Sequence, residues 1–153
     1  MRVLELKIPP PAVALTTAVL MWLVTRATPA LDFAFPARSV FAMCLAVGGF
    51  LTAMSGALTF RRAHTTLNPT KPESTSSLVN WGVYSVTRNP MYLGLVLILT
   101  GWAIFLSNAL AYVFLPGFVL YINRFQIAPE ERALEARFGA TFTDYRRAVR
   151  RWL

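Results

Sequence analysis

Residues 82–94 read Gly-Val-Tyr-Ser-Val-Thr-Arg-Asn-Pro-Met-Tyr-Leu-Gly, and they lead directly into the apolar run 91–106. The stretch places a cation, Arg88, an amide, Asn89, and two tyrosines beside this run. Pro90 suits the first position of a helix, because the N–H that it lacks would have no helical partner there. The stretch therefore predicts a polar segment at the rim of a membrane helix.

The composition of the 153-residue chain favours a membrane protein. Hydrophobic residues make up 56% of it and charged residues 14%, whereas soluble globular proteins contain roughly 25% charged residues. Four runs without Asp, Glu, Lys or Arg carry the excess: 12–24, 39–60, 91–106 and 109–122. A bilayer needs about 20 apolar residues per helix, so some spans must include flanking residues. We expect four transmembrane helices, at about 9–27, 39–60, 88–106 and 108–126.

The positions of the basic residues predict the orientation of these spans. The chain has 15 Lys and Arg residues. If four spans place both termini on the same side of the membrane, all of these residues except Arg26 and Arg38 lie on the side of the termini. Basic residues favour the cytoplasmic side, so we expect both termini to be cytoplasmic, in a bacterial inner membrane, with a cytoplasmic loop at 61–87. The formal net charge of +8 then suits anionic lipid headgroups. We expect the lipid bilayer as a partner, and no nucleic acid.

Residues 127–153 predict an amphipathic helical tail. Pro129 suits a first helical position, Glu130 and Glu131 suit the positive end of a helix, and Gly139 suits a helix end. Apolar residues then recur at spacings of three or four: Leu134, Phe138, Phe142, Tyr145, Val149 and Trp152. The tail is expected to lie on the membrane surface, to close over a cytoplasmic site, or to do both. The expected fold is a single all-α membrane domain over residues 1–153, without a Rossmann sheet.

Two short segments predict how the last two spans are arranged. Only Ser107 and Asn108 separate the third and fourth apolar runs, which predicts an antiparallel helical hairpin. Pro116 and Gly117 lie inside the fourth run and predict a kink there.

Arg88 and the two glutamates have the chemistry to bind a zwitterion. Arg88 beside the free backbone donors of a helix start can bind a carboxylate, and Glu130 or Glu131 can pair with an ammonium group. The methionyl end of S-adenosylmethionine carries both groups. Other interpretations remain open, because Arg88 also suits a topology signal, Tyr84 and Tyr92 suit a membrane interface, and acids suit a helix start.

The order of these motifs resembles the isoprenylcysteine carboxyl methyltransferase and phospholipid methyltransferase families of integral-membrane enzymes. Their pattern is Arg-His-Pro-x-Tyr-x-Gly, then Glu-Glu followed by Leu, Phe-Gly and two aromatics. The matching residues here are Arg88-Asn89-Pro90-Met91-Tyr92-Leu93-Gly94, then Glu130-Glu131, Leu134, Phe138-Gly139, Phe142 and Tyr145. The chain departs from the pattern at Asn89, where the family has His, and at Gln126, where Arg is common.

The resemblance implies a helical methyltransferase that takes S-adenosylmethionine from the cytoplasm and a lipophilic acceptor from the bilayer. It implies Arg88 and Glu130 as catalytic residues. The implied cofactor-binding residues are Tyr84, Val86, Arg88, Asn89, Pro90, Tyr92, Gly94, Glu130 and Glu131, and the implied acceptor-binding residues are Tyr121, Arg124 and Gln126.

The acceptor is expected to be a small or lipidic hydrophobic molecule with a carboxylate, thiol or amine nucleophile. We expect it to enter between the third and fourth spans, near Pro116. No metal is expected, because the sequence lacks a cluster of His, Cys and carboxylates. A non-catalytic membrane scaffold and a small four-helix transporter are the alternatives. The spans contain no acidic residue, which disfavours proton-coupled transport.

Overall fold

The computed structural model describes residues 5–63 and 78–153. Residues 1–4 and 64–77 lie outside the described part, so residues 64–77 of the predicted loop at 61–87 are outside it as well. The described residues form six α-helices: α1 (Pro10–Ala27), α2 (Arg38–Arg62), α3 (Pro90–Leu106), α4 (Phe114–Ile122), α5 (Ala128–Phe138) and α6 (Ala140–Ala148). Within this part of the chain, β pairing is limited to an isolated bridge between Asp32 and Asn108. The predicted all-α class is confirmed.

Three helices are long and apolar enough to cross a membrane: Pro10–Ala27, Arg38–Arg62 and the continuous helix Ala109–Phe138. The shorter apolar helix α3 has 17 residues, about 25 Å at 1.5 Å per residue, against a hydrocarbon core of about 30 Å. The structure thus supports three of the four predicted spans by length and composition. The helix Ala109–Phe138 has 30 residues, about 45 Å, which is about 15 Å longer than the hydrocarbon core.

Glycines bring α2 and α3 into close contact. A Cβ atom on Gly49 would lie 2.5 Å from the carbonyl oxygen of Gly94, and one on Gly101 would lie 2.8 Å from that of Ala42. Such close approach is typical of membrane helices, where small residues let two backbones pack together. α2 therefore supports the whole length of α3.

The predicted turn at Ser107 and Asn108 is present. Ser107 ends α3 with a φ of 50°, and the Asn108 side chain accepts a hydrogen bond from the Leu110 N–H, at the start of the next helix. Its amide also donates to the Asp32 side chain at 2.7 Å and to the Thr28 carbonyl at 2.9 Å. This buried asparagine ties the hairpin to the end of α1.

The structure differs from the sequence-based expectation at residue 127, where a separate tail helix was expected to start. A 3₁₀ turn (Ala109–Val113), α4, a π turn (Asn123–Ile127) and α5 form one uninterrupted helix. Pro129 cannot donate to the Phe125 carbonyl, and that carbonyl instead accepts a hydrogen bond from the Leu6 N–H at 3.0 Å. Because a distant segment satisfies this carbonyl, the helix continues through Pro129.

Pro116 lies near a change of helix type. It is the third residue of α4, just after the 3₁₀ turn, so its missing N–H falls close to that change, and the kink expected there stays a prediction. Three apolar residues that follow Pro116 in the long helix share the buried core with Tyr92 and Leu99 of α3: Phe118, Ile122 and Ile127. This core holds α3 beside residues 118–127 of the long helix.

Candidate functional site

The segment that precedes α3, residues 82–89, packs against the end of α2. Gly82 has a φ of 63°, which favours glycine, and starts a 3₁₀ turn that buries Tyr84. The Tyr84 ring packs edge-on against Phe60, with 5.1 Å between the ring centroids. Tyr145 of α6 donates a hydrogen bond to the Tyr84 carbonyl at 2.7 Å. The segment before α3 and the last aromatic residue of the Glu-Glu motif are therefore in direct contact.

Arg88 joins this approach to the carboxyl-terminal residues. Its Nη1 atom donates to the carbonyl of Arg146, at 3.0 Å, and to that of Val149. Its backbone N–H donates to the carbonyl of Arg150 at 3.0 Å. Nη2 donates to Glu131. The third side-chain nitrogen, Nε, is buried and has no hydrogen-bond partner among the described residues.

Glu131 lies between two arginines. It accepts from Arg88 Nη2 at 2.8 Å and from Arg151 Nη2 at 2.5 Å, and the side chains of Arg88 and Glu131 are only 9% and 13% exposed. Burial acts to raise the pKa of Glu131, but the hydrogen bonds from Arg151 and Arg88 outweigh it and hold the pKa below its ordinary value. Glu131 is thus an ionised group whose partners come from the chain itself.

Glu130 has a different environment, although it is the adjacent residue. Its carboxylate accepts a hydrogen bond from the Tyr92 hydroxyl at 2.5 Å. None of the ion pairs found among residues 5–63 and 78–153 includes Glu130. Burial raises its pKa to about 8, the Tyr92 hydrogen bond opposes this rise, and the charge of Glu131 adds to it. The raised pKa favours the protonated form of this carboxyl near neutral pH.

Two residues that the sequence analysis did not select, Thr87 and Arg151, also join the segment before α3 to the carboxyl-terminal residues; we call this contact region the junction. Thr87 is buried and donates to the Arg151 carbonyl at 3.2 Å, and Asn89 donates to the same carbonyl at 2.9 Å. Thr87 stands inside the quoted motif, so its position next to Arg88 was a usable signal. Arg151 is one of several arginines in the tail, and nothing in the local pattern distinguishes it from the others.

Contacts therefore join several of the predicted cofactor-binding residues but not all of them. Glu131 binds both Arg88 and Arg151, and Asn89 donates to the Arg151 carbonyl, whereas Tyr92 pairs with Glu130. Pro90 is buried at the start of α3. Val86 is 62% exposed. Gly94 lies at the contact with α2, where a Cβ would meet the Gly49 carbonyl, so helix packing accounts for its lack of a side chain.

The three predicted acceptor-binding residues lie on the α4 and π-turn side of the long helix. Arg124 pairs with Glu5 at 2.9 Å, and Gln126 donates to the Ile8 carbonyl at 2.8 Å. The Tyr121 hydroxyl and the Gln126 Oε1 atom are buried without a hydrogen-bond partner in the described part of the chain. Arg124 and Gln126 therefore hold the amino-terminal segment in place in this structure.

Two buried groups of opposite charge type lack an ionic partner among the described residues. Arg88 Nε has no hydrogen-bond acceptor there, and Glu130 has no basic residue as a partner. An unpaired buried polar group costs free energy unless a partner binds to it. Among the described residues no group of three His, Cys, Asp or Glu side chains is placed to hold a metal ion.

Comparison with known proteins agrees with the motifs. Residues 37–141 match the family model of phospholipid methyltransferases. An uncharacterized protein of Haemophilus influenzae is 51% identical over 63 residues, which are 41% of this chain and all of that protein. No solved structure matches the chain significantly. The family match spans more than half of the chain and confirms the resemblance drawn from its motifs: the chain belongs to the phospholipid methyltransferase family of membrane methyltransferases.

Proposed function

We propose that this protein is an S-adenosylmethionine-dependent integral-membrane methyltransferase that acts on a small or lipidic hydrophobic acceptor. Family membership supports methyl transfer to a membrane substrate, and three long apolar helices support an integral-membrane protein. The single observation that carries the choice of donor is the buried Glu130 carboxyl, which has Tyr92 but no basic residue as its described partner.

The methionyl end of the donor fits the two unpaired groups. Its ammonium group pairs with Glu130, and its carboxylate accepts a hydrogen bond from Arg88 Nε. Arg88 keeps its other contacts, with Glu131 and with the carbonyls of Arg146 and Val149, so the guanidinium is already oriented. A preoriented group loses little conformational freedom when the ligand binds.

The bound donor supplies an electrophilic methyl group on a sulfonium. The protein's contribution is to align this group with the acceptor and to exclude water, because methyl transfer is an in-line displacement. Tyr92 and Glu130 hold the donor at the start of α3, and α6 packs close by, because Phe142 lies buried against Tyr145, which bonds the Tyr84 carbonyl. We assign no general base, since a thiolate, carboxylate or free amine acceptor needs none.

The proposed topology keeps four spans with both termini in the cytoplasm of a bacterium. α3 crosses together with its flanking residues, and local thinning of the bilayer compensates for its length of 17 residues. The site then lies at the cytoplasmic face, because the start of α3, the end of the long helix and α6 meet there. Soluble S-adenosylmethionine reaches the site from that side.

The two departures from the family pattern do not favour a non-catalytic scaffold. Asn89 donates to the Arg151 carbonyl, and Gln126 donates to the Ile8 carbonyl. Each replacement thus has a structural role that fastens one end of the chain. Family membership likewise favours a methyltransferase over a transporter.

Titration calorimetry in detergent with S-adenosylmethionine tests the proposal. We expect the Glu130→Gln variant to bind the donor about ten- to a hundred-fold more weakly, the effect of losing a hydrogen bond to a charged group. Glu135→Gln is the matched control, because Glu135 lies on the same helix with a side chain that is 44% exposed, and it should bind as the wild type does. A wild-type protein that binds no donor would overturn the proposal.

A further inference from the structure

A π turn (Asn123–Ile127) lies just before the two glutamates in the long helix. In it the Ala128 N–H donates to the Asn123 carbonyl, five residues earlier, whereas an α-helical N–H donates four residues earlier. The turn thus takes up one residue more than an α-helical turn does. Because one residue amounts to about 100° of rotation in an α-helix, the presence of this turn decides which of the later residues face α3.

The rotation allows two placements of the glutamates. With the π turn, Glu131 lies between two arginines and Glu130 bonds Tyr92. If residues 123–127 were α-helical, each later residue would move on by one place, so that Glu130 would replace Glu131 and Pro129 would replace Glu130. The two arginines have a carboxylate in both placements, whereas Tyr92 has one only with the π turn. The ion pairs of Glu131 therefore do not select the observed placement by themselves.

The part of the long helix before the turn is fixed by its contacts. Ile122 is fully buried in the core, and the Asn123 side chain accepts a hydrogen bond from Trp152 Nε1 at 3.2 Å. A change in the turn would therefore move the residues after it. Inside the turn, the same change would bring Gln126 to the buried place of Ile127, where its amide would have to leave its hydrogen bond.

Residues 5–8 bind to the middle of the π turn. The Leu6 N–H donates to the Phe125 carbonyl at 3.0 Å, and the Gln126 side chain donates to the Ile8 carbonyl at 2.8 Å. These contacts hold Leu6 at a φ of 58°, which is uncommon for a residue with a side chain. Gln126 is 1% exposed and changes direction if the turn becomes α-helical, so its hydrogen bond to Ile8 favours the π turn.

Glu5 joins the two sides of the turn. Its carboxylate binds Arg124, inside the turn, at 2.9 Å and Arg132, after the turn, at 2.5 Å. An α-helical turn would rotate Arg132 relative to Arg124 by about 100°, so one carboxylate would no longer reach both. The ion pairs of Glu5 thus favour the same arrangement as the hydrogen bond of Gln126.

We propose that Gln126, held by residues 5–8, is a positioning residue that keeps the π turn in place and thereby directs Glu130, and not Pro129, toward Tyr92 and the donor. This inference rests on the proposed function for the identity of the ligand at Glu130. The placement of the two glutamates itself requires no donor.

The first test is titration calorimetry of the full-length Gln126→Met variant with S-adenosylmethionine. Met has nearly the volume of Gln and no amide, and it suits the apolar place of Ile127 in the alternative arrangement. We expect donor binding at least about tenfold weaker, as for Glu130→Gln. Thr17→Val is the control, because Thr17 is 9% exposed and its hydroxyl bonds the Val13 carbonyl within α1, and it should bind as the wild type does.

A double variant shows whether Gln126 acts through Glu130. Gln126→Met combined with Glu130→Gln should bind the donor no more weakly than Glu130→Gln alone, because residues that act through one group are not additive. Two losses that add up would indicate that Gln126 only stabilises the fold, and would overturn the inference.

Deletion of Gln126 separates the turn from the hydrogen bond. It removes the same amide as Gln126→Met, but an α-helix with one residue fewer leaves the later residues in their observed places. The deletion variant should therefore bind the donor within about threefold of the wild type. Binding weaker than that of Gln126→Met, or failure of the deletion variant to fold, would contradict the role of the turn.

The last test requires no donor. Burial raises the pKa of Glu130 to about 8, against the hydrogen bond from Tyr92 and together with the charge of Glu131, so stability should fall from about pH 5 to pH 8. Gln126→Met should lose this fall, because Glu130 then lies between the arginines. Thr17→Val should keep it, since the loss of a bond that only stabilises lowers the unfolding temperature similarly at every pH.

These outcomes distinguish the inference from the proposed function. A pH-dependent fall that persists in Gln126→Met overturns the positioning role, whatever the donor affinity. Loss of the fall in Gln126→Met, in a protein whose wild type binds no S-adenosylmethionine, would leave the positioning role standing and reject the proposed function.

Discussion

Glu130 and Glu131 are adjacent in the sequence, yet the structure places them in opposite electrostatic environments. Glu131 binds two arginines, and its pKa is lowered. Glu130 bonds a neutral tyrosine, and its pKa is raised to about 8. The comparison teaches that one residue of the Glu-Glu motif holds the carboxyl-terminal segment, whereas the other has no basic partner in the described part of the chain and is the one that we propose for the donor.

The largest expected effect comes from removing the fastening charge. Glu131→Gln leaves the almost buried Arg88 guanidinium without its counter-charge, and breaking such a buried pair costs about 3–5 kcal/mol. We expect residues 146–153 to lose hydrogen-exchange protection and thermal unfolding in detergent to shift downward. Glu130→Gln should lower neither the protection nor the unfolding temperature. Equal losses in the two variants would contradict the division of roles.

The Asp144→Asn variant is the surface control for that comparison. Asp144 faces Arg147 at 3.9 Å, with both side chains more than 75% exposed. Exposed pairs contribute about 0–1 kcal/mol, so this variant should unfold within about 0.5 kcal/mol of the wild type. A loss as large as that of Glu131→Gln would show that tail charge in general, and not the buried pair, stabilises the segment.

The pH dependence of stability should distinguish the two glutamates by sign. Because the Glu130 pKa is raised, the folded state keeps a proton that the unfolded chain has lost, and stability falls as pH rises from about 4.5 to about 8. Because the Glu131 pKa is lowered, its contribution is present above about pH 4.5 and is lost as pH falls below that value.

Thermal unfolding followed from about pH 5 to pH 8 measures this effect. The slope due to Glu130 is at most about 1.4 kcal/mol per pH unit, and Glu130→Gln should remove it. Glu131→Gln should retain the slope in this range although the protein is less stable. A wild-type profile that Glu130→Gln leaves unaltered would contradict the raised pKa.

The smallest expected effect comes from Thr87→Val, which tests the hydrogen bonds that hold the carboxyl-terminal residues against the segment before α3. Thr87→Val removes a buried hydroxyl that donates to the Arg151 carbonyl and accepts from the Asn89 N–H. We expect destabilisation of about 1 kcal/mol, typical of a lost hydrogen bond, measured by thermal unfolding. Thr143→Val is the control, since the Thr143 hydroxyl bonds the Gly139 carbonyl of its own helix in an exposed position. A larger loss in Thr143→Val would argue against the junction.

Much of the fold could be predicted from the sequence, because the length of an apolar run and the residues at its ends act locally. The helical class and the turn at Ser107 and Asn108 follow from such local signals. Pro129 illustrates what does not follow. It carries every local sign of a helix start, but the Phe125 carbonyl that it cannot bond finds the Leu6 N–H, which is more than a hundred positions away in the chain.

The candidate site shows the same division. The motifs predicted that Arg88 needs a carboxylate partner, and the charge of arginine alone does not tell a ligand carboxylate from a side chain. The structure provides Glu131 for that role. Gly94 was assigned to the cofactor site because it belongs to the motif, whereas its position depends on Gly49, in a different helix. Contacts between distant segments decide both cases.

The most direct test of the central claim counts the protons released when the donor binds. Below pH 7, Glu130 holds a proton in the free protein and must lose it to pair with the donor ammonium. Calorimetric titration of S-adenosylmethionine at about pH 6.5, in two buffers with different ionisation enthalpies, should report release of about one proton by the wild type and by Glu135→Gln. Glu130→Gln should release none. The same proton count for wild type and Glu130→Gln would contradict the assignment of Glu130 to the donor.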